Sequence, residues 1–152
     1  IPSSTANWAA YPSVGTQPSM RYGNTLVYLP HRHSILSFGG INTDLQYMND
    51  LYEYKINEYK WYRLRQQSNV PSVRQFMYGY YMNGKVWFFG GLTDVGMSNE
   101  LFTYDIESLS WNLISNINQQ IPKPRWGHGL MIYQNYGLFI LGMYDVYCIY
   151  FI

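Results

Sequence analysis

The chain has 152 residues, a formal net charge of +1, 12% charged side chains and 19% aromatic ones. That balance gives no electrostatic draw toward nucleic acid or an anionic membrane, and no apolar run approaches the roughly 18 residues of a membrane span. The 17 tyrosines, with the tryptophans and phenylalanines, suit a pleated, half-buried surface, so an all-β chain is expected.

Trp8 comes first, followed by a polar, proline-containing stretch to Pro18. Arg21 opens a strand-like run over residues 22–29, and Pro30-His31-Arg32-His33-Ser34 breaks it. A strand over residues 35–40 ends at Gly39-Gly40, a polar loop spans 41–48, and Asn49-Asp50-Leu51-Tyr52-Glu53-Tyr54 alternates as a half-buried strand does. Residues 56–60 read as a turn before Trp61.

A second pass keeps the same order. Arg74 opens residues 75–81, Asn83-Gly84 is a tight hairpin signal because both positions tolerate positive φ, and Lys85-Val86-Trp87-Phe88-Phe89 stops at Gly90-Gly91. A polar loop, Asn99-Glu100-Leu101-Phe102 and then Trp111 complete it. The third pass starts with Arg125-Trp126-Gly127-His128-Gly129, runs through a hairpin at residues 134–137, and reaches Leu141-Gly142-Met143. Asp145-Val146-Tyr147 resembles Asp50-Leu51-Tyr52, with the loop before it almost gone, and no tryptophan strand follows.

Gly39 and Gly90 are 51 positions apart, Gly90 and Gly142 are 52 apart, and Trp8 to Arg21, like Trp61 to Arg74, is 13. Arginine, double glycine, Asn-acid-apolar-aromatic and tryptophan recur in fixed order, which marks a repeat of about 50 residues. This pattern resembles the Kelch repeat over residues 8–150. The resemblance implies Kelch-type β-propeller blades of four antiparallel strands, about three of them present: the end of a blade in 1–17, repeats in 18–69 and 70–120, and an incomplete repeat in 121–152. It also implies structural roles for Gly39, Gly40, Gly90, Gly91 and Gly142 at strand ends, and for Tyr52 and Phe102 on the third strand. Trp8, Trp61 and Trp111 are expected to fill the outer gap between blades. Closed propellers need roughly 4–8 blades, so further blades or other chains are expected to complete this one.

Within the resemblance, Arg21, Arg74 and Arg125 stand where the innermost strand begins near the central channel, with His128 in the third copy. The loops 41–48, 92–98, 65–72 and 115–123, with Asp44 and Asp94 among them, are expected to gather on the same face. The arginines then have two readings: stitching neighbouring loops together, or gripping a partner's carboxylates or phosphates.

Other features carry less chemistry. His31 and His33 share one side of an extended segment but lack a third ligand nearby, so a solvated turn is the better reading than a metal pair. No Walker pattern, GxGxxG loop or catalytic carboxylate spacing occurs, and no cofactor is expected. The lone cysteine, Cys148, excludes an internal disulfide, reads as a buried thiol, and favours a reducing, cytoplasmic location. The start, Ile1-Pro2-Ser3, lacks an initiator methionine and a signal pattern, so a processed chain or a piece of a longer one is expected. The functional expectation is a non-catalytic interaction or scaffold module that presents its loops and channel-mouth arginines to a protein partner. The alternatives are a structural subunit of a large assembly, or part of a Kelch-type metal-dependent enzyme or oxidase.

Overall fold

The computed structural model describes residues 8–115, 122–133, 136–140 and 149–151. In chain order the strands are β1 (Val14–Gly15), β2 (Arg21–Tyr22), β3 (Thr25–Leu29), β4 (Ser34–Phe38), β5 (Ile41–Asn42), β6 (Leu51–Lys55) and β7 (Lys60–Arg63). The second repeat gives β8 (Arg74–Gln75), β9 (Tyr78–Met82), β10 (Lys85–Phe89), β11 (Leu92–Thr93), β12 (Gly96–Met97), β13 (Leu101–Asp105) and β14 (Ser110–Leu113). The third gives β15 (Gly129–Tyr133), β16 (Tyr136–Ile140) and β17 (Ile149–Phe151).

Each full repeat makes one four-stranded antiparallel blade. Blade one is β3-β4-β6-β7 and blade two is β9-β10-β13-β14, while β15-β16-β17 form the described part of a third. Two four-stranded antiparallel blades and part of a third match the partial propeller that the resemblance implies. Turn chemistry sets the hairpins: Asn83 and Gly84 both take positive φ, +51° and +78°, between β9 and β10, as a tight turn requires. A 3₁₀ turn at Pro30–Arg32 serves the same connection in blade one, where the proline presets φ.

The core is the seam between blades one and two. Val27, Leu29, Leu36, Phe38 and Leu51 of blade one pack with Val86, Phe88, Phe102, Tyr104 and Trp111 of blade two, all under 5% exposed. The ring of Phe38 lies 4.9 Å from Trp111 and 5.8 Å from Phe88. Trp111 is fully buried and donates its indole N–H to the side-chain carbonyl of Gln66 at 2.9 Å. A half-exposed equivalent, Trp61, packs on Tyr54 at 5.0 Å along the face of blade one that no blade covers among the described residues.

Among the described residues, Trp8 is fully exposed. The chain after it runs along the outer edge of blade one, where β1 pairs in parallel with β7, Val14 opposite Lys60 and Gly15 opposite Trp61. The same backbone clasp joins the first two repeats. Gln67 N–H donates to Leu109 O and Trp111 N–H to Gln67 O, each at 2.9 Å, so each clasp covers a strand edge that would otherwise lie bare.

The loops expected at 41–48 and 92–98 contain short strands. β5 pairs with β2, and β11 pairs with both β8 and β12. Finally, the third strand of the last blade is β17, with Ile140 opposite Ile149. Ser37 faces Tyr52 and Phe88 faces Phe102 in the earlier blades, so Ile149 stands at the corresponding register. Gly142, Asp145, Tyr147 and Cys148 themselves lie outside the described residues.

Candidate functional site at the channel entry

Each blade begins at its arginine, and the structure shows why four separate landmarks recur together. Arg74 is 1% exposed. Its guanidinium donates to Gly90 O at 3.2 Å, to Ser98 Oγ at 3.4 Å and to Glu100 Oε2 at 2.8 Å, and its Cζ stands 5.2 Å from the centre of the Phe102 ring. Arg21 repeats the pattern one blade earlier, donating to Gly39 O at 3.0 Å and to both carboxylate oxygens of Asp50 at 2.5 and 3.1 Å, with Tyr52 5.5 Å beneath it. The glycine carbonyl, the acid and the third-strand aromatic are thus one socket for one guanidinium. A planar fork with several donors suits it in a way an ammonium does not.

The arginine backbone faces the other way, to the preceding blade. Gly40 N–H donates to Arg74 O at 2.8 Å and Arg74 N–H to Met48 O at 3.0 Å; Gly91 to Arg125 O at 2.9 Å and Arg125 to Ser98 O at 3.0 Å repeat it. Close approach explains the first glycine of each pair. A Cβ on Gly39 would lie 2.5 Å from Arg74 O, and one on Gly90 would lie 2.6 Å from Arg125 O. Both also hold left-handed φ, +66° and +69°.

These contacts bear on the two readings of the arginines. Arg21 and Arg74 have their guanidinium donors taken within the chain, which fits stitching better than partner contact. Arg125 is 1% exposed with Nε on Lys123 O at 3.1 Å. His128 is likewise 2% exposed, among the rings of Phe89 at 5.5 Å and Tyr78 at 5.8 Å. Burial first, and Arg125 nearby second, push its imidazole from 6.5 down to about 4, so it is neutral at physiological pH.

Asp44 and Asp94 behave differently: both are exposed. They sit at loop tips built outward from the arginine strands, because Asn42 pairs with Arg21 and Thr93 with Arg74. Asn42 Oδ1 accepts the N–H groups of Asp44 at 3.0 Å and Gln46 at 2.9 Å; Thr93 Oγ1 accepts the Val95 N–H at 3.2 Å and donates to Gly96 O at 2.8 Å. Beside each aspartate stands an exposed apolar residue, Leu45 at 70% and Val95 at 93%. The tip of blade one is also tied to blade two, where Gln75 donates to the Tyr47 hydroxyl at 3.2 Å.

An aromatic row beside the arginine strands went unnoticed in the sequence. Tyr22, Phe76 and Trp126 follow their blade arginines by one or two positions, and their ring centres are 6.5 Å and then 5.1 Å apart. The sequence signal was present as an aromatic just after each arginine. On the opposite side, His31 packs edge-on to Tyr81 at 6.2 Å and His33 takes a left-handed turn conformation. Among the described residues, no group of three His, Cys, Asp or Glu side chains is gathered to hold a metal ion.

A family model for the KLHDC2/KLHL20/DRC7 Kelch-repeats domain matches residues 2–150. The host cell factor homolog hcf-1 of Caenorhabditis elegans is 28% identical over 128 residues, covering 80% of this chain and 16% of that protein. Human Kelch domain-containing protein 3 is 29% identical over 99 residues, covering 64% of this chain and 25% of its own length. Dynein regulatory complex subunit 7 of Chlamydomonas reinhardtii is 24% identical over 84 residues, covering 55% of this chain and 7% of that protein. The chain thus spans a quarter or less of the length of these relatives. With the arginine sockets, the glycine pairs and the four-stranded blades in view, the chain belongs to the Kelch-repeat family.

Proposed function

We propose that this chain is a protein-interaction module whose binding surface is the channel-entry face, led by the loop tips Asp44-Leu45 and Asp94-Val95. The observation that carries this reading is the contrast between frame and tip. The arginine sockets and inter-blade hydrogen bonds fix the frame, while side-chain bonds from Asn42 and Thr93 hold exposed acid-plus-apolar tips in defined shapes. Pre-organised loops on a rigid scaffold lose little entropy when a partner docks. Family membership supports a protein-binding role.

The test uses the full-length protein and its Leu45→Ser/Val95→Ser variant as baits, with quantitative mass spectrometry of captured proteins. Specific partners should fall away from the variant while its thermal unfolding is unchanged. Retention of every specific partner by the variant overturns the reading.

A second observation supports completion of the propeller by a further blade, from a longer chain or a neighbour. The face of blade one carries an open 350 Å³ hollow lined by Pro18, Leu26, Ile35, Tyr54 and Trp61. It corresponds to the blade-two surface that Phe38 fills. Substituting Leu26→Lys should destabilise a completed propeller; an unchanged melting temperature in the full-length protein counts against completion at this face.

A further inference from the structure

Phe76 occupies a position that glycine holds in both neighbouring blades. It follows its blade arginine by two residues, as Gly23 and Gly127 do, and its φ is +52° against +67° and +61° for the glycines. The conformation is imposed by the ladder around the channel, in which Phe76 N–H donates to Gly23 O at 2.6 Å and Gly127 N–H to Phe76 O at 3.2 Å. Glycine meets that demand without strain, whereas a bulky side chain in the left-handed region does not.

Core packing does not repay the strain. Phe76 belongs to neither buried cluster of the described residues, and nor do Tyr22 and Trp126. Its ring lies instead between Tyr22, which is 55% exposed, and Trp126. Gly23 leaves the room for it, since a Cβ there would come within 3.1 Å of a Phe76 ring carbon. Strain kept at a half-buried position outside the core points to function.

The surroundings indicate what the row would receive. A 240 Å³ hollow lined by Met20, Tyr22 and Leu45 lies on one side, and a 320 Å³ hollow lined by Asn24, Phe76 and Gly127 on the other. Arg21 and Arg74 are neutralised in their sockets by Asp50 and Glu100, which leaves Asp44 and Asp94 as the unspent charges on the tips of blades one and two. Lys123, exposed on the approach to blade three, is the cation at the far end.

We propose that the Tyr22–Phe76–Trp126 row seats a cationic side chain, arginine or lysine, from an extended segment of a partner protein. The ring faces attract the cation, the aspartates at the tips steer it, and apolar residues flanking it enter the two hollows. This rests on the interaction-module reading and names the chemistry of its partner.

Random peptides displayed on phage and panned over the full-length protein test it. The expected consensus carries Arg or Lys at one fixed position. Affinity of the selected peptide should drop roughly 3- to 30-fold in Phe76→Gly and in Asp44→Asn/Asp94→Asn, with thermal stability unchanged in the aspartate variant and equal to or above wild type in Phe76→Gly, where the strain is relieved. Phe76→Leu, which keeps an apolar side chain but removes the ring face, should lose affinity likewise. An acidic or neutral consensus whose binding depends on Leu45 and Val95 but not Phe76 overturns the cation seat and leaves the interaction module standing. Selected peptides indifferent to the row and to the tips, or no selected peptide at all, overturn both.

Discussion

Removing Arg74 gives the sharpest check on the stitching assignment. Arg74→Ala takes a large, fully buried side chain out of a socket that contains Gly90 O, Ser98 Oγ and the Phe102 ring. Glu100 contributes less than its 2.8 Å distance implies, because its side chain is 43% exposed and water can replace the guanidinium. The Ser72 contacts lie at the surface and recover the same way. What remains is an orphaned Gly90 carbonyl, at about 1–3 kcal/mol, plus a cavity, because Ser98 Oγ keeps its bonds to Glu100. A total loss of about 3–5 kcal/mol follows, a large part of the roughly 5–15 kcal/mol that holds a typical domain.

Urea unfolding of the full-length protein measures it, with a check that the slope against denaturant is unchanged. Arg74→Lys should fall between wild type and Arg74→Ala, since a single ammonium cannot reach all three acceptors of the socket as a fork does. The substitution Glu100→Ala alone should cost less than Arg74→Ala, because the guanidinium keeps its carbonyl acceptors. A loss below about 1 kcal/mol for Arg74→Ala, with partner capture abolished, refutes the stitching assignment and restores direct contact.

Other consequences are as specific. Gly90→Ala should cost more than about 2 kcal/mol in the same urea titration, combining left-handed strain with a clash against the Arg125 carbonyl. Trp111→Ala should cost about 3–5 kcal/mol, because the indole is fully buried in the seam between the blades. His128 makes stability depend on pH: its folded value of about 4 lies below the ordinary 6.5. As pH falls from about 6.5 the unfolded chain takes up the proton first, so stability falls until about pH 4, by at most about 3 kcal/mol. His128→Gln should flatten that part of the profile. At Glu53, burial works to raise the carboxyl, but hydrogen bonds from Arg32 and Ser34 outweigh it and hold the group below its ordinary range. Its contribution is present above the ordinary glutamate range and is lost on further acidification, and Glu53→Gln should remove that lower limb.

The repeat was legible because it is carried by residue types that few other positions accept. Glycine pairs, a buried arginine, an aromatic and a tryptophan at fixed spacing mark strands, turns and the family without any coordinates. Their partnership was not legible. Arg74, Gly90, Glu100 and Phe102 are spread over 29 positions, and only the antiparallel return of β10 and β13 brings them around one guanidinium. Whether an arginine stitches or binds depends on its burial, and burial belongs to the assembled blades.

The clasps formed by β1 and Gln67 left no mark in the sequence, since backbone ladders ask for no particular side chain. Phe76 was read as an ordinary strand residue because left-handed φ at that position follows from the hydrogen-bond ladder between blades. The sequence by itself determined the repeat length and the residues that end each strand, because local turn chemistry and alternation are written in neighbouring residues, and the order of strands within a blade came with the family resemblance. Only the tertiary structure decided which charges are spent and which remain. Exposed Asp44 and Asp94, buried Arg74 and the aromatic row are outcomes of packing one blade against the next.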